Sequence, residues 1–432
     1  MSDREAVAHL LRRATFGPTA DEVDAAERAG PAATLDRVLT RSGADRGAAA
    51  TPLPALAPDP YAELTKDSSR EQRQQANAER RKQLQQVTEW WLDRMVAAED
   101  GLTEKLLFFW HGHWATSAQK VKSARLMLGQ LETLRRYGRG PLGPLVAAMV
   151  RDPALIVWLD GQKNTRKAPN ENLARELMEL FTLGIGAYSE ADVKAGARAL
   201  TGWVVDRRTG AARIEARRHD PGEKSILGQS GRFDAEAYAG LLAAQPAAAT
   251  FVAGRLWSRY AGADAPAPGG LAGANTIATL RAIFSAPAFA QTRGTLVKQP
   301  VEWLVGALRQ LGIRPSALTE QQRKQLLAGL NALDQVPLRP PSVGGWPAGA
   351  AWLTTSSLQA RLRTAGVLAA ATAPAALARL TAAPSAGRPD ALARLLVVDG
   401  WGPRTRAALT PLAGEPRKLL AAGLVSPEYA VS

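Results

Sequence analysis

The sequence predicts a mainly α protein, a multi-helix globular array with a small irregular or hairpin region near residues 204–231. Three observations predict it. Apolar residues recur at three- and four-residue spacing in most segments, alternating strand patterns are scarce, and glycine, proline and capping residues cut the chain into helix-sized pieces. With 432 residues and 46% hydrophobic content the chain has the material for a substantial core, which excludes a wholly disordered protein.

The first amphipathic run is 6–14, with Leu10, Leu11 and Ala14 toward one face, and Gly17-Pro18 closes it. Thr19 with Glu22 three residues on has capping-box spacing and predicts a helix to 29. Residues 52–60 (PLPALAPDP) read as a connection. The stretch 70–82 (REQRQQANAERRK) mixes acids, glutamines and bases without interleaved aromatics, so it reads as a solvated helix or mobile insertion, with a polyanion contact as the alternative. Residues 88–97 and 103–110 read as core helices rich in Trp, Leu and Phe, the second ended by Gly112. An amphipathic helix at 124–137 stops at Gly138 and Gly140-Pro141, and 144–150 and 152–159 flank a turn at Asp152-Pro153. After a polar, basic loop at 160–169, Asn170 is placed to cap a helix that exits through Gly184 and Gly186. Ser189 with Asp192 starts another, ending at Gly202.

Residues 207–231 are turn-rich, and helices resume at 235. The Pro, Gly and Ala stretch 262–273 is the linker candidate. It separates an N-terminal helical region, 1–261, from a C-terminal one, 274–432, packed on it within a single family domain. In the latter, helices are predicted at 275–284, 301–311, 319–333, 353–371, 390–396 and 417–422, with a loop at 337–347. No fixed-period repeat is present.

Composition removes several function classes. The chain has no cysteine, so disulfides, thiolate metal sites and cysteine nucleophiles are excluded and any metal must be held by nitrogen and oxygen. Only four histidines occur, His9, His111, His113 and His219. Lys and Arg number 54 against 40 Asp and Glu, a formal charge of +14, but the positives are dispersed and form no specific nucleic-acid motif. The start, MSDREAVAHLLRRATFG, lacks the apolar stretch of a signal peptide, and no apolar run approaches the ~18 residues of a membrane helix. The expectation is a soluble, cytoplasmic protein, unless it is exported with a signal-bearing partner.

Three constellations carry chemistry. In Phe109-Trp110-His111-Gly112-His113-Trp114, two imidazoles two residues apart converge only if Gly112 breaks the helix; aromatic neighbours would keep them neutral and suited to a divalent metal. The alternative is a pair of histidines satisfied by hydrogen bonds in an aromatic core. In NENLARELMELFTLGIG (170–186), a regular helix puts Asn172, Glu176 and Glu179 on one face beside an apolar arc. The alternative there is an ordinary solvent face. In Arg218-His219-Asp220-Pro221-Gly222, a His-Asp pair offers a ligand and the group that orients it, or else a turn in which Asp220 bonds to backbone. Trp346, in Val343-Gly344-Gly345-Trp346-Pro347, reads as a core anchor or a stacking surface for a ligand. Phosphate-cradling GxxxxGK[ST] loops, nucleophile elbows and HExxH are absent from the sequence, and no GxGxxG stands in a strand-to-helix context.

Together HLLRRATFGPT (9–19), FWHGHWATS (109–117), DPALIVWLDG (152–161), NENLARELMELFTLGIGAYSEADV (170–193), ALTGW (199–203), HDPGEKSILG (219–228), KQPVEWLVGALR (298–309) and SVGGWPAGAAWL (342–353) resemble, in order and spacing, the bacterial family called domain of unknown function 1800. The resemblance covers nearly the whole chain. It implies no particular activity, but its members often accompany a second protein type, domain of unknown function 1501, similar to the alkaline phosphatase and sulfatase superfamily. Gly112 stands where Asn is common in the family and Phe181 where many members have His.

Two readings follow. In the first, His111, His113 and Glu176, with His219 or Glu179 completing the shell, hold a divalent metal of unspecified identity for oxidative or hydrolytic chemistry. Asp220 orients His219, and Asn170 or Asn172 positions ligands. In the second, a non-enzymatic helical protein binds an anionic envelope polymer or a phosphatase-like partner.

Overall fold

Helices begin where side-chain caps put them. Thr19 and Glu22 exchange hydrogen bonds at the start of the helix Ala20–Ala29, and Ser189 and Asp192 do the same for Glu190–Ala199. Each box satisfies two of the backbone donors that a helix start leaves unpaired. The computed structural model describes residues 2–40, 43–262 and 266–432, so part of the 262–273 linker candidate lies outside the described residues.

The polar stretch 70–82 is the solvated first half of the 28-residue helix Arg70–Ala97; within it only Ala76 is buried. The second half carries the apolar load, with Trp91, Leu92, Met95 and Val96 inside. Next comes the helix Gly101–His113, buried at every position except Gly112. A helix covered on all sides forms the centre of a packed array. It does not end at Gly112 as expected. It runs to His113 and is capped by the Trp114 N–H on the Trp110 carbonyl at 2.8 Å.

The fold is mainly α, with two antiparallel two-stranded ribbons, Trp203–Val205 paired with Ala212–Ile214 and Lys224–Ile226 paired with Gln229–Gly231. They occupy the region anticipated as irregular or hairpin-like. One hydrophobic core holds Trp91, Trp110, Trp114, Trp257 and Trp303, and takes in residues on both sides of the linker candidate, from Leu10 to Tyr429. Each such buried aromatic removes upwards of 150 Å² from water, worth about 3 kcal/mol or more. A smaller cluster, Val7, Ala8, Leu11, Val23, Ala26 and Val397, seals the first two helices. Among the described residues no helix is long and apolar enough to cross a membrane.

The 170–186 segment departs from a regular helix. Asn172–Glu176 is α, and Leu177–Thr182 is a π-helix whose Leu183 N–H reaches back five residues to the Met178 carbonyl at 2.8 Å. The wider turn displaces every side chain beyond Glu176 from its 100° position. π-turns are costly in isolation and recur at functional sites.

A candidate binding cleft beside the central helix

Three separated sequence blocks meet at one cleft. His113, from the end of the central helix, lies with Glu179, Leu180, Leu183, Gly184 and Ile185 from the π-helix and its exit, and with Val343 and Gly344 from the 342–345 turn. The fourth wall is the helix Pro246–Tyr260, which contributes Thr250, Phe251 and Arg255. The cleft holds about 630 Å³, within the range that encloses small ligands. Its walls are largely apolar. Ile185 stands at the rim with 85% of its surface exposed, an unusual position for isoleucine. Gly184 allows the close approach: its φ is +83°, and a Cβ there would lie 2.9 Å from the Phe251 ring.

The cleft's polar groups are few and distinct. Arg255 is solvent-accessible, yet partial desolvation lowers its pKa, and it has no ion-pair or hydrogen-bond partner among the described residues. Glu179 accepts the Tyr188 hydroxyl at 2.7 Å. His113 is buried among Phe109, Trp110, Trp114, Phe181 and Phe251. Burial, reinforced by the positive charge of Arg255 and only partly offset by a bond to the Phe181 carbonyl, pushes its pKa down to about 3. Because Nε2 lies 2.9 Å from that carbonyl oxygen, Nε2 carries the proton. The Nδ1 lone pair is buried with no partner.

His111 faces the other way. Two helical residues two apart project about 200° from each other, so the imidazoles do not converge. His111 packs against Trp91 and Trp346, and its Nε2 accepts the Leu338 N–H at 3.1 Å. That lone pair is occupied, and the ring is a neutral structural bridge with its pKa pushed down to about 3 by burial.

The other sequence-derived site residues disperse. His219 turns Nδ1 to the Thr201 carbonyl at 3.0 Å, so Thr201 orients it and Asp220 does not. Asp220 instead binds Arg198 at 2.7 Å and the Gly222 N–H at 2.9 Å, the backbone-turn role that was the alternative. Asn170 accepts the Asn172 N–H, and Asn172 donates to the Leu159 carbonyl, so both shape backbone. Glu176 is half-buried, its pKa raised by burial and then by Glu179, but it is not part of the cleft wall. Among the described residues no group of three or more His, Asp or Glu is arranged to hold a metal ion. The helix continues through Gly112, so His111 and His113 do not converge, and Leu177–Thr182 is a π-helix in place of the regular turn expected between Glu176 and Glu179, whose charges still act on each other. His113 and Glu179 alone of the five proposed ligands share the cleft. Trp346 stacks on Phe108 at 5.6 Å, an anchor in the core.

Sequence reasoning missed Arg255 and Phe251. A lone arginine on a helix next to the buried positions 252, 253, 256 and 257 carries no local sign that its charge is left uncompensated.

No curated protein and no solved structure matches the chain. Three of the four cleft-forming segments are among those that resemble a known family, and the family model described as Protein of unknown function (DUF1800) matches residues 9–431, so the chain belongs to that family.

Proposed function

We propose that the cleft binds a small organic anion, an apolar body carrying one carboxylate. The observation that carries this reading is Arg255, a cation with no ion-pair partner among the described residues, on the wall of a largely apolar cavity of about 630 Å³ that Glu179 also lines. An ion pair formed at the edge of a low-dielectric wall is worth more than one in open solvent. Leu180, Leu183 and Phe251 take the hydrocarbon, and the neutral ring of His113 forms part of the floor. Glu179, held by Tyr188, disfavours a second negative group on the ligand. This selects a singly charged molecule over a polyanion.

Calorimetric titration with octanoate and with its neutral amide tests the reading. Saturable octanoate binding is expected, weakened about tenfold or more in Arg255→Met, a loss of about 1.4 kcal/mol, with the amide insensitive to that substitution. Absence of saturable binding for any apolar acid of matching size overturns it. A partner of the domain of unknown function 1501 type is a separate proposal, supported by the family resemblance alone and tested by co-purification at varied salt.

A further inference from the structure

Glu302 is one buried acid among four cations, of which Lys105 and Arg13 are buried, Arg259 is largely buried and Lys298 is half-buried. Its carboxylate accepts from Lys105 on one oxygen and from Arg259 at 2.9 Å on the other, which also takes the Gln299 N–H at 3.0 Å. Arg13 and Lys298 are further electrostatic neighbours of the same carboxylate. Four cations therefore share one acid. Glu302, Lys105 and Arg13 are at most 4% exposed, and the Arg259 side chain is 10% exposed. The nearby Arg12 adds little to the excess, being already matched by Asp399 at 2.8 Å.

Part of the excess is absorbed by backbone. Lys105 donates to the Thr15 carbonyl at the C-terminus of the helix Asp3–Ala14. Arg13 donates to Ala261 at 2.9 Å and to Tyr260 at 3.3 Å, at the C-terminus of Pro246–Tyr260, and also to the Thr292 carbonyl. Two helix C-termini, each with partial negative charge, thus face the cluster. What remains is unsatisfied. Arg259 Nη2 and Arg13 Nε are buried donors without a partner, as is the Tyr260 hydroxyl. The Lys298 amine has no ion pair or hydrogen bond among the described residues and sits 3.7 Å from the centre of the Tyr429 ring. Uncompensated buried charge is among the most costly features a fold can carry.

We propose that this cluster binds a monovalent inorganic anion of the size of chloride, held by Arg259 Nη2 within the field of Arg13 and Lys298. Chloride accepts several N–H donors without fixed geometry and brings the four cations and Glu302 closer to balance. The competing way to lower the charge is loss of the Lys298 proton, which burial favours by pushing its pKa down to about 7.

Two measurements on the full chain separate these outcomes. Crystals grown in bromide are expected to show an anomalous peak beside Arg259. Thermal unfolding is expected to shift upward in sodium chloride relative to sodium gluconate at equal ionic strength, rising with the logarithm of halide concentration. Arg259→Lys keeps the charge opposite Glu302 but deletes the unpaired donor, and should weaken halide affinity about tenfold or more. If that variant fails to fold, Lys298→Met, which breaks no ion pair, should reduce the halide response while raising the melting temperature in gluconate. Bromide found only at the surface, or equal melting in the two salts, overturns the proposal. So does stability that follows Lys298 deprotonation near pH 7 with no halide dependence.

Discussion

The Nε2 of His111 accepts the backbone N–H of Leu338, 227 residues along the chain, at 3.1 Å. One imidazole thereby fixes the 337–347 loop to the central helix. Replacing it by alanine is expected to remove the packing against Trp91 and Trp346 and to strand a buried N–H, costing about 3–5 kcal/mol. His111→Phe keeps the ring but not the acceptor and should cost about 1–3 kcal/mol. Urea denaturation of both variants checks this; equal stability of His111→Phe and wild type would show that the bond is worth nothing.

Acid should unfold the protein through its histidines. The folded-state pKa values of His111 and His113 are pushed down to about 3 by burial, and that of His9 to about 4 by burial and then Arg13. The unfolded chain takes up these protons near its ordinary imidazole pKa of about 6.5. Stability from the neutral rings is therefore complete above that pH and is lost as pH falls toward 3–4, at up to about 1.4 kcal/mol per pH unit for each ring. Asp152 opposes this: burial outweighs its bonds to Leu155, Gln130 and Ala154 and raises its pKa to about 6, so the unfolded chain ionises first and stability rises as pH falls from 6 to 4. Between pH 6 and 5, above the range in which the carboxylates held low in the fold take up protons, three imidazoles against one carboxyl leave a net uptake of about two protons on unfolding. Unfolding free energies measured at several pH values give that number directly, and a flat profile would contradict the burial of the rings.

Glu302→Gln should be among the most damaging single substitutions. It leaves Lys105 and Arg259 buried without their counter-ion, a loss of about 3–5 kcal/mol. Substituting Glu302 and Lys105 together, by Gln and Met, should recover part of that, because the second change removes one of the stranded charges. Chemical denaturation of the single and double variants decides it.

Local signals carried the fold further than they carried the site. Thr19, Ser189 and Asn275 each satisfy a nearby N–H, so their helices could be placed from spacing of a few residues. Gly112 misled because glycine in a helix interior costs only about 1 kcal/mol, which tertiary packing overrides. Here the helix and the 342–345 turn lie so close that a Cβ on Gly345, whose φ is +85°, would collide with the Gly112 carbonyl. The π-helix is set by backbone bonds that no 100° periodicity encodes. The cleft escaped because Arg255 and Phe251 gain their meaning only from residues about 75 and 140 positions away, at 180 and 113.

Gly184→Ala should close the cleft. At φ +83° an alanine is strained, and its Cβ would sit 2.9 Å from the Phe251 ring, which must turn away from Gly184 to make room. A stability loss of about 1–2 kcal/mol is expected, together with weakened octanoate binding. Phe251→Leu in the same chain removes the collision but not the positive φ. It should therefore restore binding while recovering only part of the stability, a non-additive pair measurable by titration and denaturation. If Gly184→Ala lowers stability while leaving octanoate affinity unchanged, the ligand does not lie against this wall, and the acid-binding site must be sought away from Phe251.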